Sequence, residues 1–143
     1  MGAAYCQSAD VVTEMLETPE VTFGQVCYLS AIHQGFVSDD ATYDQAIDAL
    51  YEKGQIPQNV DKSTNVVMAN LAFIYAQMWN VQGGLLYRLT NGSPRYAFKQ
   101  LKVDGIIPET ADPKTVVSGL EALNMYTSCA IEYGNMELST TEE

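Results

Sequence analysis

The sequence predicts an all-α domain in which three helix–loop–helix units, each a short helix followed by a longer one, wrap into a pseudo-threefold bundle with one loop or hairpin inserted. Three observations carry that expectation. Residues 46–57, AIDALYEKGQIP, and 97–108, AFKQLKVDGIIP, share Ala, Leu, Gly, Ile and Pro in register, 51 residues apart as Gly54 and Gly105 are. An apolar segment of helical period follows each phrase after a loop. Small residues recur in matching places along three such segments, at Gly24, Ala69 and Gly119 and again at Cys27, Ala72 and Ala122, which lets helix backbones approach closely.

The elements follow in chain order. In SADVVTEML (8–16), Val12 and Leu16 stand at i, i+4 behind Ser8 or Asp10 as a cap, a degenerate first short helix. VTFGQVCYLSAIHQG (21–35) is the first long helix. In each copy of the repeated phrase, the alanine and leucine at i, i+4 stack on one helix face. The glycine then suits the left-handed position past the helix end, and the proline beyond stops the helix. VVMANLAFIYAQMW (66–79) and VVSGLEALNMYTSCAIEY (116–133) are the second and third long helices. Thr22, Thr64 and Thr115 stand near the three starts, where a hydroxyl can accept from an unpaired helical N–H.

The units therefore span roughly 8–35, 42–80 and 93–133 of one domain covering 1–143. No single pair of helices can bury its own apolar face, whereas three pairs can share a core. NVQGGLLYRLTNGSPRY (80–96) interrupts the pattern, and its unmatched part, 81–92, reads as a loop or small hairpin around Asn91-Gly92. The polar tail 135–143 reads as frayed.

Composition narrows the function classes. A chain of 143 residues that is 47% hydrophobic and 17% charged fits one globular domain, with no uninterrupted apolar stretch for membrane insertion. The formal charge of −11, from 18 acids against 7 bases, repels phosphate backbones and anionic lipid, so nucleic acid is not an expected partner. The same charge fits a cationic partner or an acidic solubility coat. Cys6, Cys27 and Cys129 have neither zinc-site spacing nor disulfide density. Cys27 and Cys129, on apolar segments, read as buried thiols rather than a bridge, and Cys6 as a free thiol or, less simply, a lipid-modified one. MGAAYC is too short to hold a signal peptide, which leaves a cytoplasmic protein or one whose export signal has been removed.

The unit of short helix, G-x-I-P, loop, then V-T/S and a long helix resembles the S-layer homology repeat of bacterial envelope proteins. AIDALYEKGQIP and AFKQLKVDGIIP match its first part, and VTFGQVCYL, NVVMANLAF and VVSGLEALN stand at its second-helix starts. The resemblance implies a three-repeat prism, an exported, periplasmic or envelope location, and a cell-wall polysaccharide ligand. Where that family places the arginine that contacts the glycan, this chain has Phe23 or Gly24, Met68 or Ala69, and Ser118 or Gly119. Only Glu121 stands for the family's glutamate, so no glycan-binding residue is carried over.

Candidate recognition residues cluster around the insert. Arg88 and Arg95, the chain's only arginines, lie there beside Tyr87, Pro94 and Tyr96, and a guanidinium fork with flat amphipathic rings suits a binding patch. The alternative is that both arginines pair with nearby acids such as Asp104 to hold the loop. Trp79, at a helix end beside the insert, is placed to reach a groove. His33 reads as a structural or surface residue at a helix C-terminus. Asp39, Asp40, Asp44 and Asp48 read as charge complementing a helix N-terminus rather than a calcium loop. No catalytic, cofactor-binding or metal-binding residue is singled out, and an enzyme using paired acids has only the abundance of carboxylates behind it. The expected function is a noncatalytic envelope or periplasmic module that binds a protein through residues 81–96, with Trp79, Tyr87, Arg88, Arg95 and Tyr96 as anchors. The alternative is a module that binds cell-wall polysaccharide.

Overall fold

The computed structural model describes residues 7–56, 60–81 and 93–134. Those residues form an all-α structure: α1 (Gln7–Leu16), α2 (Phe23–Gln34), α3 (Tyr43–Glu52), α4 (Met68–Met78), α5 (Pro94–Val103) and α6 (Gly119–Cys129), the last running into a π-helical turn, Ala130–Gly134. The expected contrast between short and long helices is slight. α1, α3 and α5 have 10 residues each, whereas α2 has 12 and α4 and α6 have 11. The second helices start later than their apolar patterns do: Val21, Val66 and Val117 lie outside them, and the caps that follow, Thr22, Val67 and Ser118, are extended.

Those three valines join the units. The Val66 N–H donates to the Val21 carbonyl at 3.0 Å, the Val117 N–H to Val66 at 3.0 Å, and the Val21 N–H to Val117 at 2.8 Å, so the three segments exchange hydrogen bonds in a closed ring. All three side chains are fully buried. Buried backbone outside a helix must find its hydrogen bonds somewhere, and here each unit supplies them to the next.

The same exchange caps helices. The α2 amides of Phe23 and Gly24 donate to the carbonyls of Thr64 and Lys62, the α4 amides of Met68 and Ala69 donate to Thr115 and Pro113, and the α6 amide of Gly119 donates to Thr18. The expectation that Thr64 and Thr115 cap through their hydroxyls is therefore corrected: their carbonyls do the work, on a neighbouring unit's helix. Thr22 is a true side-chain cap, closing a box with Gln25, and Thr42 with Gln45 and Ser118 with Glu121 do the same. Val67, at the start of α4, makes no side-chain cap bond.

Burial follows the repeated phrase. Ala46, Leu50 and Ile56 are buried with Ala97, Leu101 and Ile107, and Cys27, Ala72 and Ala122 have no exposed surface at all. The small residues of α2, α4 and α6 thus lie in the core, where the Tyr75 hydroxyl donates to the Ala122 carbonyl at 2.6 Å. At Gly119 an added Cβ would lie 1.8 Å from the Met15 carbonyl oxygen, so α1 and α6 touch backbone to backbone there. α1 itself is rotated from expectation. Val11 and Met15 face the core and Leu16 is half exposed, because two adjacent i, i+4 pairs were available and the approach of Gly119 to Met15 selects the other one.

Candidate partner-binding surface

α5 is amphipathic by its own spacing. Ala97, Phe98 and Leu101 are buried, which turns Arg95, Lys99 and Lys102, at i, i+4 and i+7, onto one opposite stripe. Pro94 occupies the first turn, where its missing N–H costs nothing. Arg95 and Lys99 are exposed and Lys102 is half-buried. Aromatic rings support all three: the Arg95 guanidinium lies 5.9 Å and the Lys99 ammonium 5.3 Å from the Tyr96 ring centre, and Lys102 lies 4.7 Å from that of Phe98.

Among the described residues, none of these three cations has a carboxylate in ion-pair range, although the chain carries 18 acids; the ion pair that does form joins Lys62 to Asp44 at 3.5 Å. The anticipated partner, Asp104, is engaged otherwise. Its Oδ1 accepts from Gln100 Nε2 at 3.0 Å and its Oδ2 from the Tyr133 hydroxyl at 2.6 Å. Burial, and then that bond to a carboxylate, hold the Tyr133 phenol well above its ordinary pKa. Tyr87 and Arg88, the other anchors expected in the insert, lie outside the described residues, as does Cys6.

Beside the start of α5 runs an apolar groove of about 230 Å³, lined by Phe23, Gly54, Ile56, Asn70, Phe73, Ile74 and Pro94. Its walls come from the first residue of α2, the turn after α3, the middle of α4 and the first residue of α5. Asn70 supplies the one side-chain amide of this lining.

Trp79 goes elsewhere. It is only 8% exposed and packs among Tyr75, Tyr126 and His33, with ring centres 5.9, 5.2 and 4.8 Å away. The imidazole Nδ1 of His33 shares a 2.9 Å hydrogen bond with the Tyr126 hydroxyl. This cluster joins the C-terminal ends of α2 and α4 to the middle of α6. Its members are separated by up to 93 residues, so sequence spacing gives no signal for it. Among the described residues, ring contacts place Trp79 in this cluster and Tyr96 in the cationic stripe, so the two anchors belong to different groups.

The thiols of Cys27 and Cys129 are free and buried. Burial pushes each up to about 12, which keeps them protonated and poorly nucleophilic. In the acidic run, Asp44 stands in the first turn of α3, and the Ser38 hydroxyl donates to Asp40. Among the described residues, no group of three or more His, Cys, Asp or Glu side chains is placed to hold a metal ion. No described helix is long and apolar enough to cross a membrane.

No protein-family model matches the chain, and no curated protein matches it.

Proposed function

We propose that this chain is a noncatalytic interaction module of the S-layer homology kind, acting at the cell envelope or in the periplasm, and that it binds a protein partner through residues 81–96 and the exposed face of α5. The observation that carries the reading is Arg95. It is exposed, rests against the Tyr96 ring, and has no carboxylate in range among the described residues of a strongly acidic chain. A guanidinium held by a flat ring and left unneutralised retains its full capacity for a partner's carboxylate. The envelope location is supported by the repeat resemblance.

A second reading, binding of a cell-wall polysaccharide, is favoured by the groove beside Pro94, where half-buried Phe73 offers apolar ring surface and Asn70 an amide. The two readings separate in one comparison. Replacing Arg88 and Arg95 with Ala should abolish co-purification with one defined envelope protein, while thermal stability changes by no more than roughly 1 kcal/mol. Sedimentation of the wild-type chain with purified cell wall, unchanged in the double variant, would instead support the polysaccharide reading.

A further inference from the structure

α3 and α5 are the same element in two successive units, and their outward stripes carry opposite charge at the same positions. Asp44 and Asp48 on α3 stand where Arg95 and Lys99 stand on α5, 51 residues later in each case. All four are exposed. Each stripe also ends on an exposed apolar residue in the last turn, Tyr51 at 43% on α3 and Val103 at 78% on α5. The two helices pack inward on different neighbours, α3 on α2 and α5 on α4, and no ion pair joins the stripes among the described residues of one chain.

We propose that the α5 stripe of one copy docks on the α3 stripe of a second copy. The spacing fits. Charges at i, i+4 lie about 6 Å apart along a helix, so antiparallel approach sets Arg95 against Asp48 of the second copy and Lys99 against its Asp44. Asp44 already has Lys62 at 3.5 Å, an exposed pairing of the kind that contributes little and exchanges readily. The contact is heterologous: it leaves α3 of one copy and α5 of the other free, so copies add head to tail into open chains or a ring rather than stopping at a dimer. Each joint uses few pairs and works against the net charge of −11, which makes the association weak and dependent on local concentration.

The inference needs no foreign partner, so its failure leaves the protein-partner reading untouched. The test is sedimentation velocity of the full chain over a concentration series. The wild type should sediment faster as concentration rises, beyond the size of a dimer. R95D/K99D and D44R/D48R should each remain monomeric, since each carries one sign at the paired positions of both stripes, and an equimolar mixture of the two should associate again. R95Q/K99Q, also monomeric, serves if a reversal variant fails to fold by circular dichroism. The proposal is overturned if the wild type stays monomeric at every concentration, if either reversal variant still associates, or if the mixture does not. A monomeric wild type whose α5 stripe captures polyglutamate or an anionic wall polymer, with capture lost in R95D/K99D, would also overturn it by assigning the stripe to a foreign polyanion.

Discussion

Gly54 and Gly105 close α3 and α5 with one backbone geometry, at φ of 73° and 86°. In both, the glycine N–H donates to the carbonyl three residues back, and the next residue's N–H reaches the carbonyl of Leu50 or Leu101. Nothing lies within 4 Å of a Cβ built at either position, so the left-handed φ, and not space, selects glycine there.

Gly54→Ala and Gly105→Ala should therefore each destabilise the fold by about 1–2 kcal/mol, the cost of holding an L-residue in that region. Asn, which tolerates it better, should cost less. Urea unfolding of the four variants checks this, and an alanine variant as stable as wild type would contradict it.

Gly119→Ala should be the more damaging change. Its Cβ would meet the Met15 carbonyl at 1.8 Å, a backbone atom that cannot rotate away, and moving it would break the bond from the Gly119 N–H to Thr18. A loss of more than about 3 kcal/mol is expected, at the upper end of single-site effects. A denaturation midpoint no lower than that of Gly54→Ala would show that α1 moves aside freely.

Alkaline pH should unfold the protein in two stages. Cys27 and Cys129 rise from 9.0 to about 12 on burial, and Tyr28 rises from 10.0 to about 12, chiefly through burial and then through Asp39. Tyr75 and Tyr133 are raised as well, in both cases mainly by burial. A raised folded pKa means that the unfolded chain releases its proton first, so this stability is whole below pH 9 and declines as pH climbs toward the folded values. Urea midpoints should fall from about pH 9 and more steeply past pH 10, the ordinary thiol and phenol values. Replacing Cys27 and Cys129 with Ala should move the onset toward pH 10, and midpoints flat from pH 8 to 11 would refute the account.

The same burial governs thiol reactivity. With Cys6 changed to Ser, a thiol reagent should label Cys27 and Cys129 of the native protein far more slowly than in urea, at a rate set by opening of the fold. Labelling as fast as that of a free thiol would place both outside the core.

What the sequence determined by itself is local. The i, i+4 pairs Ala46–Leu50 and Ala97–Leu101, the terminating glycines and the recurrent Cys27, Ala72 and Ala122 specify helices, ends and buried faces, because their physics acts within a turn or two of chain. Even there, α1 shows the limit: Val11–Met15 and Val12–Leu16 have the same spacing, and only the helix that packs on Met15 chooses between them. Tertiary structure decided the rest. Helix starts at Phe23 and Met68 are satisfied by the Thr64 and Thr115 carbonyls, since an amide takes whichever acceptor the neighbouring unit brings near. Tyr133 and Gln100 engage Asp104 at the C-terminal end of α5, and Arg95, at its other end, has no ion pair among the described residues, while His33, Trp79 and Tyr126 meet where three helices converge. The bond from Tyr133 to Asp104 and the convergence of rings depend on distances in space, and residues that lie far apart along the chain acquire those distances only when the units close upon one another.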